Sequence, residues 1–75
     1  MPSLPVISGA DAVRAFSRDG WTAVRQRGSH IIMVKEGSYA SLSVPNHREV
    51  ARGTLRSLVR DAGLTPDEFI QLLDD

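Results

Sequence analysis

From the amino end, the first apolar positions recur at helical spacing. Ala12, Val13 and Phe16 form a short stripe, with Arg14 and Arg18 on other faces. Ser8 stands where a helix cap stands, and Asp11 occupies the acid position of a capping box, although Asp is shorter than the preferred Glu. Gly20 supplies the left-handed conformation that stops a helix. The first helix is therefore expected over Gly9 to Asp19, after an opening that Pro2 and Pro5 keep extended. The period then changes. Trp21 to Arg27 suits a strand, Gly28-Ser29 is a turn, and His30 to Lys35 is the most apolar stretch and the expected central strand. Glu36-Gly37-Ser38 turns again. Tyr39 to Val44 alternates, with Ala40, Leu42 and Val44 on one face and Tyr39, Ser41 and Ser43 on the other, as in a half-buried strand. Pro45 ends it, because proline has no N–H for the ladder.

Helical spacing returns at Leu55, Leu58, Val59 and Ala62, predicting a second helix over Arg52 to Ala62 that Gly63 closes. Arg52, Arg56 and Arg60 line a ridge beside this stripe. Leu64-Thr65-Pro66-Asp67-Glu68-Phe69 reads as a helix start. Thr65 is the cap, Pro66 the first helical residue, Glu68 the capping-box acid, and Leu64 with Phe69 the hydrophobic staple. This third helix is expected to reach about Leu73. The order α-β-β-β-α-α gives an α+β fold: a three-stranded antiparallel meander with the helices packed on one face, since no other material can cover it.

A length of 75 residues allows a single small domain, taken as residues 1–75, and excludes a doubly wound nucleotide-binding sheet or a barrel. The longest apolar run, Ile31 to Val34, is far below the roughly 20 residues of a membrane span. Met1 to Gly9 lacks the basic start and apolar stretch of a secretory signal. With no cysteine, disulfides and thiolate metal sites are excluded, and a cytoplasmic protein is expected.

The net charge of zero hides a division. Residues 1–60 hold nine basic and four acidic residues, a balance of +5, while residues 61–75 hold five acids and no base. By itself this is a solvated surface with an acidic tail; it is also the footprint a polyanion binder needs. The two histidines, His30 and His47, are the candidates for proton transfer, because histidine as a residue type titrates nearest neutrality. His30 follows the Gly28-Ser29 turn at the entry to the central strand, where a rigid element would hold it near the surface. Alone, a histidine there is an ordinary exposed residue, and the same holds for His47 in its loop. Their separation in sequence and the lack of neighbouring ligands argue against a metal site, and no cofactor is expected. No phosphate-cradling glycine loop or nucleophile elbow is present. Trp21 and Tyr39 can stack on bases, although a small core needs Trp21.

The run Arg25-Gln26-Arg27-Gly28-Ser29-His30 resembles the glycine-serine-histidine motif of the HicA family of toxin ribonucleases. Leu4 to Gly9 resembles the opening of that family. Gly53 to Leu58 with Asp61-Ala62-Gly63-Leu64 resembles its second helix and turn, and Val44-Pro45-Asn46-His47 fits as well. The resemblance implies a double-stranded-RNA-binding-domain-like fold, metal-independent cleavage of messenger RNA, and inhibition by a HicB-like antitoxin. It also implies that His30 is the catalytic residue. Residues expected to contact RNA are Arg25, Arg27, Gly28, Ser29, Lys35, Arg52 and Arg56. Ile31 to Val34 is more apolar than an RNA-contacting strand with basic positions would be, which leaves open which of its residues touch RNA.

The elementary chemistry is compatible. RNA is cleaved when its own 2′-hydroxyl attacks the adjacent phosphate. That requires removal of one proton, an offset to the phosphate charge and protonation of the leaving oxygen. His30 can perform the first or third task and the basic residues the second. A second proton-transfer group is not evident, with His47 the one candidate. Two other readings compete: an RNA-binding module without catalysis, and a protein-interaction module. The Gly28-Ser29-His30 turn separates catalysis from binding, and the uneven charge distribution argues against the interaction module.

Overall fold

The computed structural model describes residues 3–74, so the expectation for Pro2 lies outside the described residues. The element order is α1 (Gly9–Arg18), β1 (Thr22–Arg27), β2 (His30–Val34), β3 (Ser41–Pro45), α2 (Arg52–Asp61) and α3 (Pro66–Asp74). The strands form one antiparallel sheet in the order β1-β2-β3. The predicted boundaries shift slightly. Trp21 precedes β1, Lys35 follows β2, and Tyr39 and Ala40 lie before β3. Pro45 is the last residue of β3 rather than the residue beyond it. It sits opposite His30 on an edge strand, where proline's missing donor leaves no central ladder bond unmade.

Both capping boxes form, and they differ as side-chain length requires. At α3, the Thr65 N–H donates to Glu68 Oε1 at 2.8 Å and the Glu68 N–H to Thr65 Oγ1 at 3.2 Å. At α1, the Asp11 N–H reaches Ser8 Oγ at 3.1 Å, but the Ser8 N–H lies 3.4 Å from Asp11 Oδ2. One methylene fewer in Asp stretches the return bond. Helix α2 starts at Ala51 with no side-chain cap, so its first turn depends on the burial of Leu55, Leu58 and Val59.

The core lies between the helices and one face of the sheet. Phe16, Met33, Leu42, Val44, Leu55 and Phe69 are its large fully buried members. Trp21 belongs to this core at 3% exposure, so it is not a stacking platform for bases; its Nε1 is buried with no hydrogen-bond partner. The other face of the sheet is uncovered. Residues opposite one another in an antiparallel pair share a face. Met33 pairs with Leu42 and Ile31 with Val44 on the covered side, whereas Ile32 pairs with Ser43 and Val34 with Ser41 on the open side. The apolar β2 sequence therefore splits: Met33 and Ile31 serve the core, and Ile32 and Val34 surface the open face. Among the described residues, no helix is long and apolar enough to cross a membrane.

Candidate nucleic-acid interface and catalytic site

The β1–β2 hairpin is closed by two residues. Arg27 pairs with His30, and Gly28 has φ 57° while Ser29 keeps a negative φ. A positive φ at the first central position alone is the pattern of a type II′ turn, which glycine meets without strain and which matches the twist of the strands it joins. His30 is thereby the first residue of β2, exposed, with Arg27 opposite it on β1 and Pro45 opposite it on β3.

The two-residue turn decides which residues of β1 share a face with His30. Arg27 pairs with His30 and, two residues on, Arg25 pairs with Ile32, so both arginines join the histidine on the open face. Beyond Arg25 the register shifts, and Val24 has no opposite number. The extra residue puts Ala23, instead of Val24, opposite Met33 on the covered side. Neither arginine forms an ion pair among the described residues.

The turn is fastened to the segment after β3. The Asn46 N–H donates to the Ser29 carbonyl at 2.6 Å, the Gly9 N–H to the His47 carbonyl at 2.8 Å, and the Val50 N–H to the Ile7 carbonyl at 2.8 Å. These bonds bring His47 beside His30, with ring centroids 6.5 Å apart and planes at 50°. Both side chains are exposed. In the sequence His47 is an ordinary loop residue, a candidate second proton-transfer group with nothing in its own loop to place it beside His30. A signal for its placement does exist: β2 begins at His30 and β3 ends at Pro45, so antiparallel pairing puts the residues just beyond Pro45 at the entry to β2.

The remaining expected contacts are not gathered at this end. Lys35 follows the far end of β2, about 16 Å from His30 at roughly 3.3 Å per residue. There its Nζ donates to Asp19 Oδ2 at 3.3 Å. Arg52 and Arg56 are exposed on α2, in the helical layer rather than on the open sheet face. Exposed Tyr39 also lies at the Lys35 end of the sheet, since Val34 pairs with Ser41. Gly28 and Ser29 form the turn itself. Among the described residues there is no group of three or more His, Asp or Glu side chains arranged to hold a metal ion.

Gly9 is the close-packed joint of this arrangement. A Cβ built on it would stand 2.0 Å from the Pro45 carbonyl oxygen and 3.0 Å from Asn46 Cα, both backbone atoms. Glycine to alanine inside a helix ordinarily stabilises by about 0.5–1 kcal/mol. Here the sign should reverse: Gly9→Ala is expected to cost about 1–3 kcal/mol, the usual penalty of overpacking, by forcing α1 away from the 45–47 segment. Denaturant unfolding measures this directly, and a midpoint equal to or above the parent's would show that the joint gives way freely.

The geometry defines a class of protein: a small α+β domain with an open sheet face that carries Arg25, Arg27 and, at one end, His30. The family model described as HicA toxin of bacterial toxin-antitoxin matches residues 9–64. The chain belongs to the HicA toxin family of toxin–antitoxin systems. Among solved structures, it is similar to a chain of a toxin–antitoxin complex from Streptococcus pneumoniae, at 30% identity and a TM-score of 0.70 over 77% of this chain and 98% of that one. Comparison with curated proteins gives no match.

Proposed function

We propose that this chain is a toxin that cleaves messenger RNA in the cytoplasm as a metal-independent endoribonuclease, with His30 as a catalytic proton-transfer residue, and that a HicB-like antitoxin holds it inactive. The observation that carries this reading is the shared placement of His30, Arg27 and Arg25 on the open face. A phosphodiester lying there meets guanidiniums able to offset charge on its non-bridging oxygens, and an imidazole within reach of the reacting oxygens. Gly28 and Ser29 let the backbone turn tightly beside the phosphate. Lys35, Arg52 and Arg56 supply attraction at longer range, which steers a polyanion without defining the bond that is cut.

Among the described residues His30 is left exposed, so a partner is the natural means of closing the site. Membership in a toxin–antitoxin family and similarity to a chain of such a complex support an antitoxin partner. Acidic side chains on the partner facing Arg25 and Arg27 would speed association, and close packing over His30 would slow release.

Purified protein incubated with RNA tests the reading. Cleavage is expected to persist in excess EDTA, because imidazole and guanidinium groups supply both the proton transfer and the charge. Complete loss of cleavage with chelator, restored by magnesium or manganese, would reject the metal-independent mechanism.

A further inference from the structure

We infer that His47 is the second proton-transfer residue of the site, so that His30 and His47 together form a two-imidazole acid–base pair. The inference rests on the ribonuclease reading above and supplies the group that the sequence leaves unidentified.

Cleavage by an internal 2′-hydroxyl needs two proton movements at one phosphorus. The 2′-oxygen forms a bond to phosphorus as its proton leaves to a base. The bond from phosphorus to the 5′-oxygen breaks as that oxygen takes a proton from an acid. The products are a 2′,3′-cyclic phosphate and a 5′-hydroxyl, with one proton taken up and one given back. The two oxygens lie on opposite sides of the phosphorus, so one imidazole cannot serve both at once. Each proton-transfer group must stand within about 2.6–3.2 Å of its own oxygen.

His30 and His47 meet this demand by position. Their ring centroids are 6.5 Å apart and the planes are inclined at 50°, so the rings are neighbours that do not stack face to face. Both are exposed, and neither imidazole makes a hydrogen bond among the described residues. Arg27, opposite His30 in the ladder, stands on the same end of the sheet to take the phosphate charge.

The backbone under His47 is built rather than loose. Its carbonyl accepts from Gly9 at 2.8 Å, its neighbour Asn46 donates to Ser29 at 2.6 Å, and Gly9 lacks a side chain where one would collide with Pro45. Both hydrogen bonds use backbone atoms, so they hold whatever side chain occupies position 47. Their effect is to fix the backbone that presents that side chain beside His30.

The test uses two RNA substrates that differ at one cleavable linkage. One carries the normal 5′-oxygen and the other a 5′-bridging sulfur, a leaving group that departs without a proton. Wild type, His30→Ala, His47→Ala and His47→Gln are compared, with circular dichroism to verify folding. On the oxygen substrate, both His47 variants are expected to lose about 10²–10⁴-fold in rate, the usual worth of an acid or base. On the sulfur substrate, only the variant lacking the general acid should recover. Recovery in one of the two positions and not the other establishes the pair and names which imidazole is the acid. Cleavage of the oxygen substrate by both His47 variants at near the wild-type rate would overturn the role of His47 while leaving the ribonuclease reading intact. Equal loss on both substrates in all variants would also overturn the pairing. Failure of the wild type to cleave either substrate would instead overturn the ribonuclease reading, and the pair with it.

Discussion

Replacing His30 with alanine should lower RNA cleavage by about 10²–10⁴-fold, the contribution expected of a positioned acid or base, and should abolish growth inhibition. The fold should persist. His30 is exposed at the first position of β2, its side chain stands on the uncovered face, and its ladder contacts with Arg27 and Pro45 are made by backbone. Surface replacements of that kind usually change stability by no more than about 0.5 kcal/mol. Cleavage kinetics, with circular dichroism and an unfolding curve for the same sample, separate loss of chemistry from loss of structure. A correctly folded variant that cleaves at nearly the parent rate would make His30 a structural residue and end the proposed mechanism.

The second large effect is on stability. Phe69→Ala should cost about 3–5 kcal/mol, the transfer loss plus the cavity left behind. At roughly 0.05–0.15 kcal/mol per residue, a chain of this length has only about 4–11 kcal/mol to lose. Helix α3 has nine residues, too few to be stable alone, and Phe69 is its only fully buried residue. The Phe69 ring meets Phe16 with centroids 5.0 Å apart, a tilted aromatic contact that binds the last helix to the first. Chemical denaturation should show a strongly lowered midpoint, with much of the sample unfolded near physiological temperature. A loss below about 1 kcal/mol would mean that α3 is not held by this contact. Because α3 lies in the helical layer, on the side of the sheet away from His30, any fraction that remains folded should still cleave. That outcome distinguishes this variant from His30→Ala.

The helix boundaries and the turn were legible in the chain because their causes are local. A Ser or Thr cap with an acid three residues later, a glycine at the first central turn position, and an apolar stripe every three or four residues act within a few residues of one another. Ser8 with Asp11, Thr65 with Glu68, and Gly28 all behave as such local rules require. The alternation of Leu42 and Val44 with Ser41 and Ser43 likewise assigned the faces of β3 before any partner strand was known.

What only the tertiary structure decided depends on pairing between distant segments. The bulge at Val24 leaves no mark in the local pattern, yet it sets Ala23 instead of Val24 opposite Met33, because a shift of one residue reverses every side chain beyond it. Lys35 carries the charge expected of an RNA contact, but strand length places it at the far end of β2, where Asp19 from the end of α1 takes it. Trp21, able to stack on a base by its chemistry, is drawn into the core because a chain this short has few large apolar side chains to fill it. His30 and His47 approach because an antiparallel ladder folds position 45 back onto position 30, and backbone bonds from Asn46 and Gly9 hold the next two residues there. The sequence alone determined the elements and one catalytic candidate. The register between strands, a property of two segments at once, determined which side chains that candidate works beside.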